Sequence, residues 1–127
     1  MEYEWNDELP KECPPKDAIS PEGINLYRLS DDEKLIDSEF RSQRTMNPTK
    51  FFPGISECIA RSLSTWDNKE SCLKILKLPR FKGKTKYLVE IPLEEKDGLI
   101  KQTFKKSHYS WWRSTSFSIA SCNVIKE

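Results

Sequence analysis

Long apolar runs are missing from this 127-residue chain. No stretch approaches the roughly 18 residues that cross a bilayer, so no membrane partner is expected. Histidine is almost missing as well: His108 stands alone. The four cysteines, Cys13, Cys58, Cys72 and Cys122, form no CxxC pair, the short spacing by which structural zinc sites announce themselves. A set of Cys58, Cys72, Cys122 and His108 can be drawn without that spacing, so no metal is expected and the cysteines read as small buried hydrophobes. GxGxxG, Walker, GxSxG and HExxH patterns are absent, which removes the common nucleotide-fold, hydrolase-elbow and zinc-protease signatures. An excess of one charge is also lacking. Lys and Arg total 21, Asp and Glu 20, and the net charge is +1. That balance argues against a dedicated nucleic-acid binder but allows a local basic patch. The opening MEYEWNDELP has neither the basic nor the apolar region of an export signal. The expectation is therefore a cytoplasmic protein with reduced thiols.

The length fits one domain. Residues 1–23 are acidic and carry Pro10, Pro14, Pro15 and Pro21, the composition of an irregular strap or tail that Tyr3 and Trp5 could pin. Residues 24–127 read as a single α+β domain. GINLYRLS alternates as a strand. Ser30, with Glu33 three residues on, predicts a capped helix over DDEKLID. Residues 40–54 read as an extended stretch followed by a loop. ISECIARSL alternates again and would put the small residues Ser56, Cys58, Ala60 and Ser62 on one strand face. DNKESCLKILKLP predicts a helix capped by Asp67 and stopped before Pro79. KYLVEIPL is a strand, KDG a turn and LIKQTF its partner strand. The period of SFSIASCNVIKE slips, which predicts a bulge near Ala120. The sum is a mostly antiparallel sheet of about five or six strands with one or two helices.

Four features could carry chemistry. Arg28 falls on the same strand face as Ile24 and Leu26, where a guanidinium needs an anion, either a carboxylate or a bound phosphate. In RSLSTW, the hydroxyls of Ser62, Ser64 and Thr65 stand where a strand would hand over to a helix N-terminus, a setting for anions. KILKLPRFKGKTK holds six cations and no acid, with Arg80, Lys82 and Lys84 best placed for phosphates. SHYSWW sets His108 among Tyr109, Trp111 and Trp112. Adjacent tryptophans alternate on a strand, so one is expected to pack inward and the other to line a surface or cleft. Aromatic walls beside a titratable ring suit the stacking of a base or nicotinamide.

LYRL, CIARSLSTW, LPRFKGKTKYLVEIPL and SHYSWW together resemble a group of small cytoplasmic bacterial proteins with an ARGLS-like strand end and a SHHTWW-like segment, over roughly residues 25–125. That resemblance implies no particular activity. A more distant likeness is to the ADP-ribosyltransferase-like fold. It implies Arg28 on the first core strand, Ser62, Ser64 and Thr65 at a later strand–helix junction, and His108 near the last strands. The cations would hold an NAD pyrophosphate. This chain departs from that family in having no glutamate in the third motif.

Three functions follow as expectations. The first is a small NAD- or nucleotide-using transferase of a conflict or toxin system, with Arg28 clamping phosphate and His108 acting as acid/base or orienting ribose. It requires Arg28, Ser64 and His108 to converge. The second is a protein-interaction module anchored by Trp111 and Trp112. The third, ranked lower, is an RNA-binding or ribonuclease-like module that tracks phosphates along the basic run.

Overall fold

The computed structural model describes residues 2–83 and 86–125. Six antiparallel strands form one sheet: β1 (Ile24–Ser30), β2 (Leu63–Trp66), β3 (Tyr87–Leu93), β4 (Gly98–Gln102), β5 (His108–Arg113) and β6 (Asn123–Ile125). Their spatial order is β4-β5-β2-β1-β3-β6. Three short helices accompany them: α1 (Gln43–Met46), α2 (Glu57–Ala60) and α3 (Lys69–Lys74). The architecture is the expected α+β single domain.

Alternation builds two apolar layers. β1 and β3 pair along their whole length, from Ile24↔Leu93 to Ser30↔Tyr87. On one face Leu26, Leu63, Val89, Ile91, Leu93, Ile100 and Trp111 join Phe40, Phe117 and Cys122 in the main core. Each fully buried large side chain contributes roughly 1.5–3 kcal/mol. The opposite face carries Trp112 and Leu88, both buried, and α2 and α3 add the buried Ala60 and Cys72.

Local capping overrides alternation in several places. ISECIARSL is not one strand. The Ser56 hydroxyl accepts from the Ile59 N–H at 3.2 Å and starts α2, and β2 begins only at Leu63. The small residues Ser56, Cys58, Ala60 and Ser62 therefore form no strand face. Asn68 rather than Asp67 caps α3, accepting from the Ser71 N–H at 2.8 Å. No helix forms over DDEKLID: Ser30 ends β1, and its hydroxyl donates to the Glu39 carboxylate at 2.9 Å. That carboxylate also accepts the Asp31 N–H at 2.6 Å, so a residue beyond the expected helix holds this turn. The slip in the tail is a 3₁₀ turn over Ile119–Ser121, not a bulge, with the Ser118 hydroxyl accepting from the Ala120 N–H.

KDG does not make a β3–β4 hairpin. Three strands lie between β3 and β4, and β4 pairs with β5 instead. The buried Asp97 carboxylate accepts the Glu94 N–H at 2.8 Å, and its backbone carbonyl accepts from the Trp111 indole N–H at 3.0 Å and the Ser114 N–H at 3.1 Å. Gly98 follows at φ 127°, where a Cβ would overlap the Trp112 carbonyl, so only glycine lets β4 approach β5 there.

Residues 2–23 run beside β4 and the end of β5. Ile19 exchanges both backbone hydrogen bonds with Ile100 at 2.8 and 2.9 Å, which covers the β4 edge. The Glu4 carbonyl accepts from Thr115 at 2.8 Å, and the Asn6 N–H donates to the Arg113 carbonyl at 3.0 Å. Tyr3 packs on Trp5 with centroids 4.9 Å apart. This course brings Cys13 against α2, where it forms a disulfide with Cys58 across a Cα separation of 5.6 Å. The expectation of four reduced thiols is corrected accordingly. Cys72 and Cys122 are free and buried, and burial pushes their thiols up to about 12 and about 11. Among the described residues, no helix is long and apolar enough to cross a membrane.

Candidate functional site

β1 and β2 share one register pair, Tyr27↔Trp66. The Arg28 guanidinium bridges the elements beside that pair. Nη1 donates to the Ser64 carbonyl at 2.7 Å, Nε to the Glu39 carbonyl at 3.3 Å and Nη2 to the Arg41 carbonyl at 3.4 Å. Burial lowers its pKa to about 10 against the opposing pull of Glu39. Sequence alternation predicts an inward arginine that needs an anion, a carboxylate or a phosphate. Three backbone carbonyls take that place instead, and two of the five N–H donors are without a partner among the described residues.

At the first residue of β5, His108 stands in register with Trp66, ring edge to ring face, with centroids 5.1 Å apart and an interplanar angle of 81°. Its Nδ1 lies 3.1 Å from the Thr103 carbonyl and 3.1 Å from the Thr103 hydroxyl. A carbonyl only accepts, so this contact suits the tautomer with the proton on Nδ1, which leaves Nε2 as an acceptor with no partner among the described residues. Desolvation lowers the pKa of the ring and keeps it neutral at pH 7. The turn before it is tightly bonded: the Lys105 N–H donates to Thr103 at 2.8 Å and the His108 N–H to Lys105 at 3.0 Å. Within that turn Phe104 adopts φ 62° and is 64% exposed, with its ring 5.3 Å from His108. A bulky side chain in the left-handed region is strained, and here it holds an aromatic ring out in solvent.

These groups border a cleft of about 360 Å³ whose lining includes Arg28, Ser64, Trp66, Arg80, Phe104 and His108. Phe81 and Lys86 complete its far wall. The Arg80 guanidinium lies 5.0 Å from the Phe81 centroid and forms no ion pair among the described residues, whereas Lys86 pairs with Asp31. No carboxylate lines the cleft among the described residues. The result is an open, aromatic and cationic hollow with neutral polar groups on Gln43, Ser64 and His108.

Arg28, Ser64, His108 and Arg80 are thus brought to one cleft. The other sequence candidates lie elsewhere. Trp111 and Trp112 point to opposite faces, as adjacent strand residues must, yet both are 0% exposed. Their indole N–H groups donate to the Asp97 carbonyl at 3.0 Å and the Cys58 carbonyl at 2.9 Å. The expectation that one of them lines a cleft fails because α2 covers the second face too. Thr65 is buried and donates to the Tyr109 carbonyl at 2.9 Å, and Ser62 donates to the Ile59 carbonyl at 2.7 Å. Neither sits at a helix N-terminus, because RSLSTW is mostly strand β2. Tyr109 packs half-buried against the main core. Lys82 is exposed in the turn after Phe81, outside the cleft, and Lys84 lies outside the described residues. Trp66, Phe104 and Phe81 were missed by sequence reasoning, whereas Lys86 belongs to the basic run KILKLPRFKGKTK. Only the pairing of β2 with β5 sets Trp66 opposite His108.

No family model matches this chain, and neither the curated proteins nor the solved structures gave a match. The functional reading therefore rests on the chemistry of the cleft.

Proposed function

We propose that the protein binds a nucleotide in this cleft. The observation that carries the reading is the meeting of Arg28, Arg80 and Lys86 with the rings of Trp66, Phe81 and Phe104 in one cleft with His108, whose Nε2 has no partner among the described residues. Phosphate suits the cations, since charge-assisted bonds to guanidinium are about twice as strong as neutral ones. A base or nicotinamide suits the indole and phenyl rings. A ribose hydroxyl or base amino group can donate to Nε2. NAD falls within this ligand class. The transferase form of the reading needs a carboxylate to activate ribose, and none lines the cleft among the described residues, so the proposal is for binding. A cytoplasmic setting, part of the same proposal, would tend to reduce the Cys13–Cys58 bond and leave the cleft unchanged.

The test is titration of ADP and NAD against wild type and Phe104→Gly, followed by NMR. Saturable shifts centred on Trp66 and His108 are expected. Phe104→Gly relieves left-handed strain and should raise stability by about 1 kcal/mol while weakening binding severalfold. An aromatic whose loss stabilises the fold but costs affinity is there for a ligand. Absence of saturable shifts in wild type overturns the proposal.

A further inference from the structure

We infer that the nucleotide cleft is one of two adjoining subsites and that the ligand is a single-stranded nucleic acid. This rests on the nucleotide reading and names its ligand class.

A second cleft, of about 370 Å³, adjoins the first. Trp66 and Ile75 line both, so the indole forms a shared wall. The remainder of the second cleft includes Ser71 and Lys74 on α3 and Lys105 and Ser107 before β5. Together the two clefts present Arg28, Lys74, Arg80, Lys86 and Lys105, five cations, and no carboxylate among the described residues. The chain as a whole is nearly balanced at 21 to 20, so the cationic excess at these clefts is local; of the five, Lys86 alone pairs with a carboxylate, that of Asp31, among the described residues. Asp67 and Glu70, the acids nearest in sequence, line neither cleft. Lys74 and Lys105 are exposed and form no ion pair among the described residues.

One mononucleotide fills one such hollow and leaves the other, with its two free lysines, without a purpose. A strand of linked nucleotides uses both. Successive bases pack against Trp66, from the two clefts it lines, and against Phe104, and the phosphates between them run past the cations. Aromatic platforms inside an electrostatic groove are the general recipe for single strands. An acidic peptide would satisfy the lysines but would not need the exposed rings.

The experiment is fluorescence polarisation with a labelled hexauridylate, set against titrations of ADP and of polyglutamate. The hexanucleotide should bind at least about tenfold tighter than ADP, a difference of about 1.4 kcal/mol. Its affinity should fall with salt at about 0.7 log units per phosphate contacted. The double variant Lys74→Ala/Lys105→Ala should weaken hexanucleotide binding and flatten that salt slope while leaving ADP affinity unchanged. ADP binding with no gain for the hexanucleotide overturns the inference and leaves the mononucleotide reading standing. Equal losses for both ligands in the double variant, or competition by polyglutamate as strong as by RNA, also overturn it. Failure of both ADP and hexanucleotide to bind overturns both readings.

Discussion

Strand β5 changes character between its two ends. At the Trp111–Arg113 end the polar groups are engaged inside the protein. Both indole N–H groups donate to backbone carbonyls, and Arg113 donates to the Phe40 carbonyl at 2.8 Å and pairs with Asp37, its guanidinium over Phe117. Among the described residues, only its Nε is buried without a partner. At the His108 end, among the described residues, Nε2 has no partner and Arg80 no ion pair, and an exposed Phe104 sits in a strained turn. Engaged polar groups serve stability, because a buried group without a partner costs about 1–3 kcal/mol. Open ones serve a ligand. The lone histidine and the tryptophan pair look like one functional unit in the sequence, but they divide these two roles.

The largest test of this contrast is Trp111→Ala. It removes a side chain at 0% exposure from the main core and should cost about 3–5 kcal/mol, against a much smaller loss for the half-buried Trp66→Ala. Denaturant unfolding of both variants checks this. Equal losses would mean that the cleft end is core as well, and the contrast would break.

Reduction of the Cys13–Cys58 disulfide comes next. It links residues 45 apart and holds the N-terminal segment beside the helix whose Cys58 carbonyl receives Trp112. Loss of the cross-link should destabilise the protein by about 2–4 kcal/mol. Thermal melts with and without reductant measure this. Nucleotide affinity should be untouched, because no residue of the N-terminal segment lines the cleft among the described residues.

The smallest expected effect is the pH response of His108. Desolvation depresses its folded-state pKa below 6.5, so the unfolded chain takes up a proton first as pH falls. The stability from the neutral ring is complete above about pH 6.5. It declines as pH drops from there to the depressed folded value, and no further loss follows below that. Stability against pH for wild type and His108→Gln checks the sign: the variant should lack this limb. A rise in stability on acidification would mean that a carboxylate faces the ring, which would erase the difference between the two ends.

Much of this was legible in the residues themselves. β1, β3 and β4 follow from alternation in INLYRLS, YLVEIPL and GLIKQ, since a half-buried strand must place apolar groups on every second position. Arg28 stood out as a polar group at a position that alternation sends inward, and His108 as the lone histidine, set among aromatic residues. Ser56 shows where such reading stops. A single hydroxyl bond turned an alternating stretch into α2. Asp97 and Gly98 show it again, because a turn that looked like a hairpin sends the chain across three strands instead.

The sequence by itself determined the α+β class, the strands β1, β3 and β4 and the prominence of Arg28 and His108, because these depend on local period and side-chain chemistry. Tertiary structure alone decided which strands are neighbours, that Trp112 is covered rather than open, that Cys13 meets Cys58 and that Trp66 faces His108. Each of these joins residues tens of positions apart, and such contacts are chosen by packing of the whole sheet rather than by anything a short window of sequence contains.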